Sequence, residues 1–158
     1  MPELKKTAAL AALKASRQEL LKAIAGLSEE QMTTIPVEGS WTVRDLLAHI
    51  ASWERACLEP LHTYAAGSPF IPEDIPDDLI WNDRQALAWQ ALSLPEILRD
   101  FTDTRRALLT VLDTLSPERW EQPLRMPWRE EGPLPQMLSG LAWHESEHVH
   151  SIQKLTPK

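Results

Sequence analysis

Trp41-Thr42-Val43-Arg44-Asp45-Leu46-Leu47-Ala48-His49-Ile50-Ala51-Ser52-Trp53-Glu54 is the stretch on which the fold turns. Thr42 is a good helix N-cap, Asp45 stands three residues on as its capping-box partner, and Trp41 and Leu46 occupy the two positions of a hydrophobic staple. Apolar residues then recur at Leu46, Ile50, Trp53, Cys57, Leu61 and Tyr64, in steps that place them on one helical face. The spacing predicts a helix over 42–66, kinked at Pro60. His49 sits on the flank of that face, one turn before Trp53.

The same signals recur on either side. Leu10, Leu13, Leu20, Ile24 and Leu27 make a stripe for a first helix over 3–26. Arg17 falls within that stripe and is read as a snorkelling side chain at the bundle rim, with a buried anion-binding role as the alternative. Ser93 and Glu96 form a second capping box, opening a helix over 94–115 with Leu94, Ile97, Phe101, Leu108, Val111 and Leu115 on one face. A last helix over 134–155 carries Leu134, Leu138, Leu141, His144, His148, Ile152 and Leu155. A shorter one over 80–91 presents Trp81 and Trp89. Residues 67–79, with three prolines and four carboxylates, read as loop. Residues 116–135, with five prolines, read as a long irregular crossover. No segment alternates as a strand does, so no sheet is expected. Four amphipathic helices must bury their faces against one another. The expected fold is an all-α four-helix bundle in a single domain over 1–158, with a short extra helix in the connection between the second and third long helices.

Composition narrows the function. The net charge of −7 opposes binding to phosphate backbones, so no nucleic-acid partner is expected. No apolar run approaches membrane-spanning length, and the N-terminus leads into an amphipathic stretch. Cytoplasmic residence and no membrane association are expected. The single Cys57 excludes an intrachain disulfide and a CxxC pair. Seven tryptophans beside one tyrosine and two phenylalanines suit the walls of an apolar pocket.

The chemistry concentrates in the histidines. His144 and His148, at i and i+4, project from one side of a helix, one turn apart, so both rings can reach one ion at about 2.0–2.1 Å. His49 on a facing helix would complete a three-histidine site with open positions. His150 lies about 200° around the helix from His148, and His62 lies about 20 Å along the helix from His49, so neither can join. Cys57 sits on the packing stripe as a buried, inert thiol. His144-Glu145-Ser146-Glu147-His148 also matches the HExxH pattern of zinc proteases, but no third ligand follows on the right face and the supporting sheet is missing. Glu145 and Glu147 each stand about 60° to one side of the histidine pair, as candidate orienting or proton-transferring carboxylates or as a solvated flank. Trp53, one turn below His49, is a candidate pocket wall.

With Gly39 to Glu54 and His144 to Ile152 in view, the chain resembles the DinB-like superfamily, and in detail its ClbS/DfsB-type branch. The resemblance implies an up-up-down-down bundle that binds a divalent metal (Zn, Ni or Fe) through His49, His144 and His148. Trp81-Asn82-Asp83-Arg84 is similar to an asparagine-containing stretch of that branch, which makes Asn82 a candidate pocket residue. Relatives include thiol-dependent S-transferases, maleylpyruvate isomerases and a cyclopropane hydrolase that confers resistance to a genotoxin. The expected function is therefore that of a metal-dependent enzyme acting on small electrophiles, foremost the transfer of a low-molecular-weight thiol co-substrate. A metal-dependent hydrolase and a non-catalytic sequestration protein stay open. The expected partners are a small-molecule substrate and a second copy of the chain in a homodimer.

Overall fold

The computed structural model describes residues 2–155, with side chains from residue 5 onward. Residues 1 and 156–158 of the expected domain lie outside the described residues. Four long helices dominate: α1 (Pro2–Ile24), α3 (Val43–Ala65), α5 (Leu94–Asp113) and α7 (Leu134–Ile152), the last continued by a 3-10 turn over Gln153–Leu155. Shorter helices are α2 (Glu29–Thr34), α4 (Asp78–Trp89) and α6 (Pro117–Glu121). The caps form as the sequence dictates. The Asp45 carboxylate accepts from the Thr42 N–H at 3.0 Å, and Thr42 Oγ1 accepts from the Asp45 N–H at 3.3 Å. Ser93 and Glu96 do the same for α5. Helix α3 runs on through Pro60 to Ala65, and Thr63 Oγ1 donates to the Pro60 carbonyl at 3.1 Å.

Two clusters of buried side chains fill the bundle end to end. One holds Leu13 of α1, Leu58 of α3, Leu108 of α5 and Leu138 of α7. The other holds Leu20 of α1, Leu47 of α3, Phe101 of α5 and Ile152 of α7. In α1 and α7 the chain passes from the first cluster to the second, and in α3 and α5 it passes back. The bundle and its extra helix α4 are those expected, but the helices run up-down-down-up, which corrects the implied up-up-down-down order. Helices α3 and α5 pack side by side in parallel. The chain must therefore climb back along α3, about 34 Å long at 1.5 Å per residue, before α5 can start. Residues 66–93, with α4 laid against α3, make that return.

The crossover after α5 is more ordered than expected. It contains α6 and a two-stranded antiparallel ribbon, β1 (Pro123–Arg125) against β2 (Glu131–Pro133), turned through Arg129 at φ 76°. Three-residue strands are too short to show alternation, so periodicity carries no sign of this ribbon.

At mid-height every long helix sends a charged side chain inward. Glu54 of α3 accepts from Arg105 of α5 at 2.6 Å and from Arg17 of α1 at 2.9 Å. Glu145 of α7 accepts from Arg17 at 2.8 Å, from Arg105 at 3.2 Å and from Ser16 Oγ at 2.5 Å. Glu54 and Glu145 are 1% and 0% exposed, so these four charges balance inside the core. Arg17 is therefore no snorkelling rim residue. Its guanidinium lies between two buried carboxylates and over the Phe101 ring at 3.7 Å. Replacing Glu145 by Ala leaves the arginines short of a partner and is expected to cost about 3–5 kcal/mol. The exposed Arg106–Asp103 pair is expected to be worth less than about 1 kcal/mol. Urea denaturation of Glu145→Ala and Arg106→Ala checks both values.

Candidate metal centre

His49 projects from the first half of α3, and His144 and His148 from one face of antiparallel α7. The structure brings the three rings to one point. His144 Nε2 lies 3.0 Å from His49 Nε2 and 3.1 Å from His148 Nε2, and one ligand nitrogen of each lies within 4.8 Å of the others. Burial first, and the neighbouring imidazoles second, hold His49 down to about 2 and His144 to about 4, so both rings are neutral at physiological pH. A neutral ring nitrogen offers either one N–H or one lone pair. His144 Nε2 therefore cannot serve both neighbours with ordinary hydrogen bonds, whereas an ion meeting three lone pairs satisfies all three. Three imidazole nitrogens at this spacing suit a divalent transition metal bound at about 2.0–2.1 Å.

One carboxylate touches this cluster, and sequence reasoning missed it. Glu38 Oε1 lies 3.0 Å from His148 Nδ1 and accepts from Ser151 Oγ at 2.7 Å. With Nδ1–H directed at Glu38, the His148 lone pair sits on Nε2, facing the other two rings. Glu38 is placed by a tight turn in which Trp41 N–H donates to the Glu38 carbonyl at 2.9 Å. Gly39 takes φ +58° in that turn, where a side chain would be strained. The loop has no periodicity to expose such a role, and 110 residues separate Glu38 from His148.

A cavity of about 330 Å³ opens beside His49 and His144. Trp53 and Asn82 form one wall, joined by a hydrogen bond from Trp53 Nε1 to Asn82 Oδ1 at 3.1 Å. Trp128, carried on the turn of the ribbon, forms another. It lies against α7 only because residue 140 is glycine: a Cβ there would stand 2.8 Å from Trp128 Cζ2.

The sequence profile of the DinB superfamily matches residues 12–152. The chain belongs to the DinB superfamily. No curated protein matches its sequence. Among solved structures it is similar to DfsB, a sibling lethal factor precursor, at 24% identity over 96% of this chain and 92% of that one, with a TM-score of 0.73. It is also similar to YfiT from Bacillus subtilis, described as a probable metal-dependent hydrolase with an unusual four-helix bundle topology. That match has 19% identity over 98% and 86% of the chains and a TM-score of 0.70. An uncharacterised protein from Escherichia coli UTI89 matches at 14% identity over 94% and 91%, with a TM-score of 0.76.

Other candidates occupy different places in this DinB-superfamily bundle. Glu145 points away from the histidines into the buried charge cluster, which removes it as a candidate for proton transfer. A solvated flank is equally excluded for it. Glu147 is exposed, as are His150 and His62. Cys57 is fully buried, and that burial raises its thiol well above the usual range.

The depressed histidines make chelator-treated protein acid-sensitive. On unfolding, His49 and His144 return to the ordinary value of 6.5 from about 2 and about 4. Below that value the unfolded state binds more protons than the fold. Stability is thus complete above pH 6.5 and falls as pH drops, by up to about 1.4 kcal/mol per pH unit for each histidine. Denaturation at pH 7 and pH 5 should show the loss, and a His49→Leu/His144→Leu double variant should flatten it.

Proposed function

We propose that the protein is a metal-dependent enzyme acting on small electrophiles, with His49, His144 and His148 as ligands and a low-molecular-weight thiol as co-substrate. The observation that carries this reading is the convergence of three histidine ring nitrogens beside a tryptophan-walled cavity that His49 and His144 line. A divalent ion held there would lower the pKa of a thiol or of water and so supply a nucleophile at neutral pH. The chain's own residues do the rest. Glu38 holds His148 in the tautomer that presents Nε2. Trp53 and Trp128 exclude water and give an apolar body a surface to lie on, while the Asn82 amide fixes the Trp53 ring. In the transfer, the thiol proton leaves to solvent and sulfur bonds to the electrophilic carbon. The displaced group, or the atom next to that carbon, takes the electron pair.

Hydrolysis is the second reading, favoured by the description of YfiT as a probable metal-dependent hydrolase. The same site would serve it, with water in place of the thiol.

Elemental analysis of the purified protein should find about one divalent metal per chain, lost in His148→Ala. Conjugation of a model electrophile with several thiols should be abolished by chelator and restored by metal. Turnover with water but with no thiol would move the assignment to hydrolysis. No turnover with either, in metal-loaded protein, would leave a sequestration protein. Glu38→Ala should weaken metal affinity about 10–100-fold in chelator competition, with partial retention in Glu38→Gln.

A further inference from the structure

The outer part of the cavity has a charge character of its own. Trp53, Trp128 and Trp143 line it, and so do the carboxylates of Asp78 and Glu130. None of the described residues lining it is a lysine or an arginine. Arg129, between Trp128 and Glu130 in sequence, is directed to Asp74, with Nη2 at 3.5 Å from Oδ1. Glu130 is not a freely rotating surface carboxylate. Trp128 Nε1 donates to its Oε1 at 2.7 Å, and Gln136 Nε2 donates to its Oε2 at 3.3 Å. This arrangement ties the charge to the edge of an indole that lines the cavity. Asp78 lines the cavity from the first turn of α4, and Trp143, 66% exposed, lines it from α7.

Indole faces carry negative potential and attract cations, most strongly ammonium groups that shed water easily. Two carboxylates at the same rim add to that attraction and repel an anion. The volume, about 330 Å³, is at the small end of the range for ligand sites. We propose that this cavity selects ligands with a compact hydrophobic body and an ammonium or similar cationic group, and rejects anionic ones. The cationic group would lie among Trp143, Asp78 and Glu130, with the other end toward the histidines. The inference rests on the proposed function only for which end reacts. It narrows the substrate class to amine-bearing thiols or amine-bearing electrophiles.

Three probes of nearly equal shape test it: benzyltrimethylammonium, the neutral neopentylbenzene and the anionic phenylmethanesulfonate. Binding is measured by calorimetry on the protein as purified, with metal content determined on the same sample. The ammonium probe is expected to bind about tenfold more tightly than the neutral one, with the sulfonate weakest. Asp78→Asn/Glu130→Gln should shrink the ammonium advantage by about threefold, and Trp143→Ala should shrink it independently. Both variants alter exposed positions, and helical circular dichroism verifies that they fold. Equal or tighter binding of the sulfonate overturns the inference, as does an ammonium preference unchanged in both variants. A sample without metal that still prefers the ammonium probe overturns the metal-centre reading alone. A sample that turns over thiols yet prefers the sulfonate overturns this inference alone.

Discussion

The buried set of Arg17, Glu54, Arg105 and Glu145 takes one charge from each long helix and joins them at a single level. Hydrophobic faces alone do not fix how far one helix slides along another, because Leu against Leu is tolerant of shifts. Charges in a dry core are not tolerant. A slide of one turn would leave an ion without its partner, at a cost of about 3–5 kcal/mol, comparable with the whole stability of a small domain. The cluster therefore sets the axial register of the bundle, and the meeting of the three histidines depends on that register. His49 lies five residues before Glu54 on α3, and His144 and His148 bracket Glu145 on α7. When Glu54 and Glu145 meet the same two arginines, His49 is already opposite its partners.

The last helix thus presents two different polar faces at one height. Glu145 faces the core and the arginines, while His144 and His148 face the edge where α3 passes. Each face is satisfied by a different set of partners, so histidine chemistry and ionic register do not compete. The neutral imidazoles avoid adding unpaired charge beside the balanced cluster, and burial that depresses His49 and His144 enforces that neutrality.

Much of this was written legibly in the sequence. The capping boxes at Thr42 and Ser93 and the 3–4 spacing of leucines placed the four long helices within three residues of their observed ends. The proximity of His144 to His148 followed from helical geometry alone. What was not legible needed contacts across the chain. Arg17 stood in an apolar stripe with no local partner, and only the meeting of α1 with α3 and α7 shows why it is there. Glu145 was judged by its neighbours in sequence, two histidines, when its partners lie on α1 and α5. The direction of each helix was hidden for a similar reason: a stripe says that a face is buried, not which way the next helix runs. Ser28 and Gln31 form a capping box for α2, a signal that is local to the sequence.

The up-down-down-up order has a consequence for the site. Parallel neighbours require a long return, and that return carries Asn82 and Asp78 on α4 to one side of the cavity. The second long connection, after α5, brings the ribbon turn with Trp128 and Glu130 to the other side. Helices supply the three histidines together with Trp53 and Trp143, and connections supply Asp78, Asn82, Trp128 and Glu130, the cavity's two carboxylates among them. Side chains on connections change without disturbing helix packing, whereas His49, His144 and His148 are locked to the register set by the charge cluster. The division of labour holds the histidine cluster in place and leaves the connection side of the cavity free to vary. The negative charge at the cavity is set by Asp78 and Glu130 on the connections, and its tryptophan walls are shared between the connections (Trp128) and the bundle (Trp53 and Trp143).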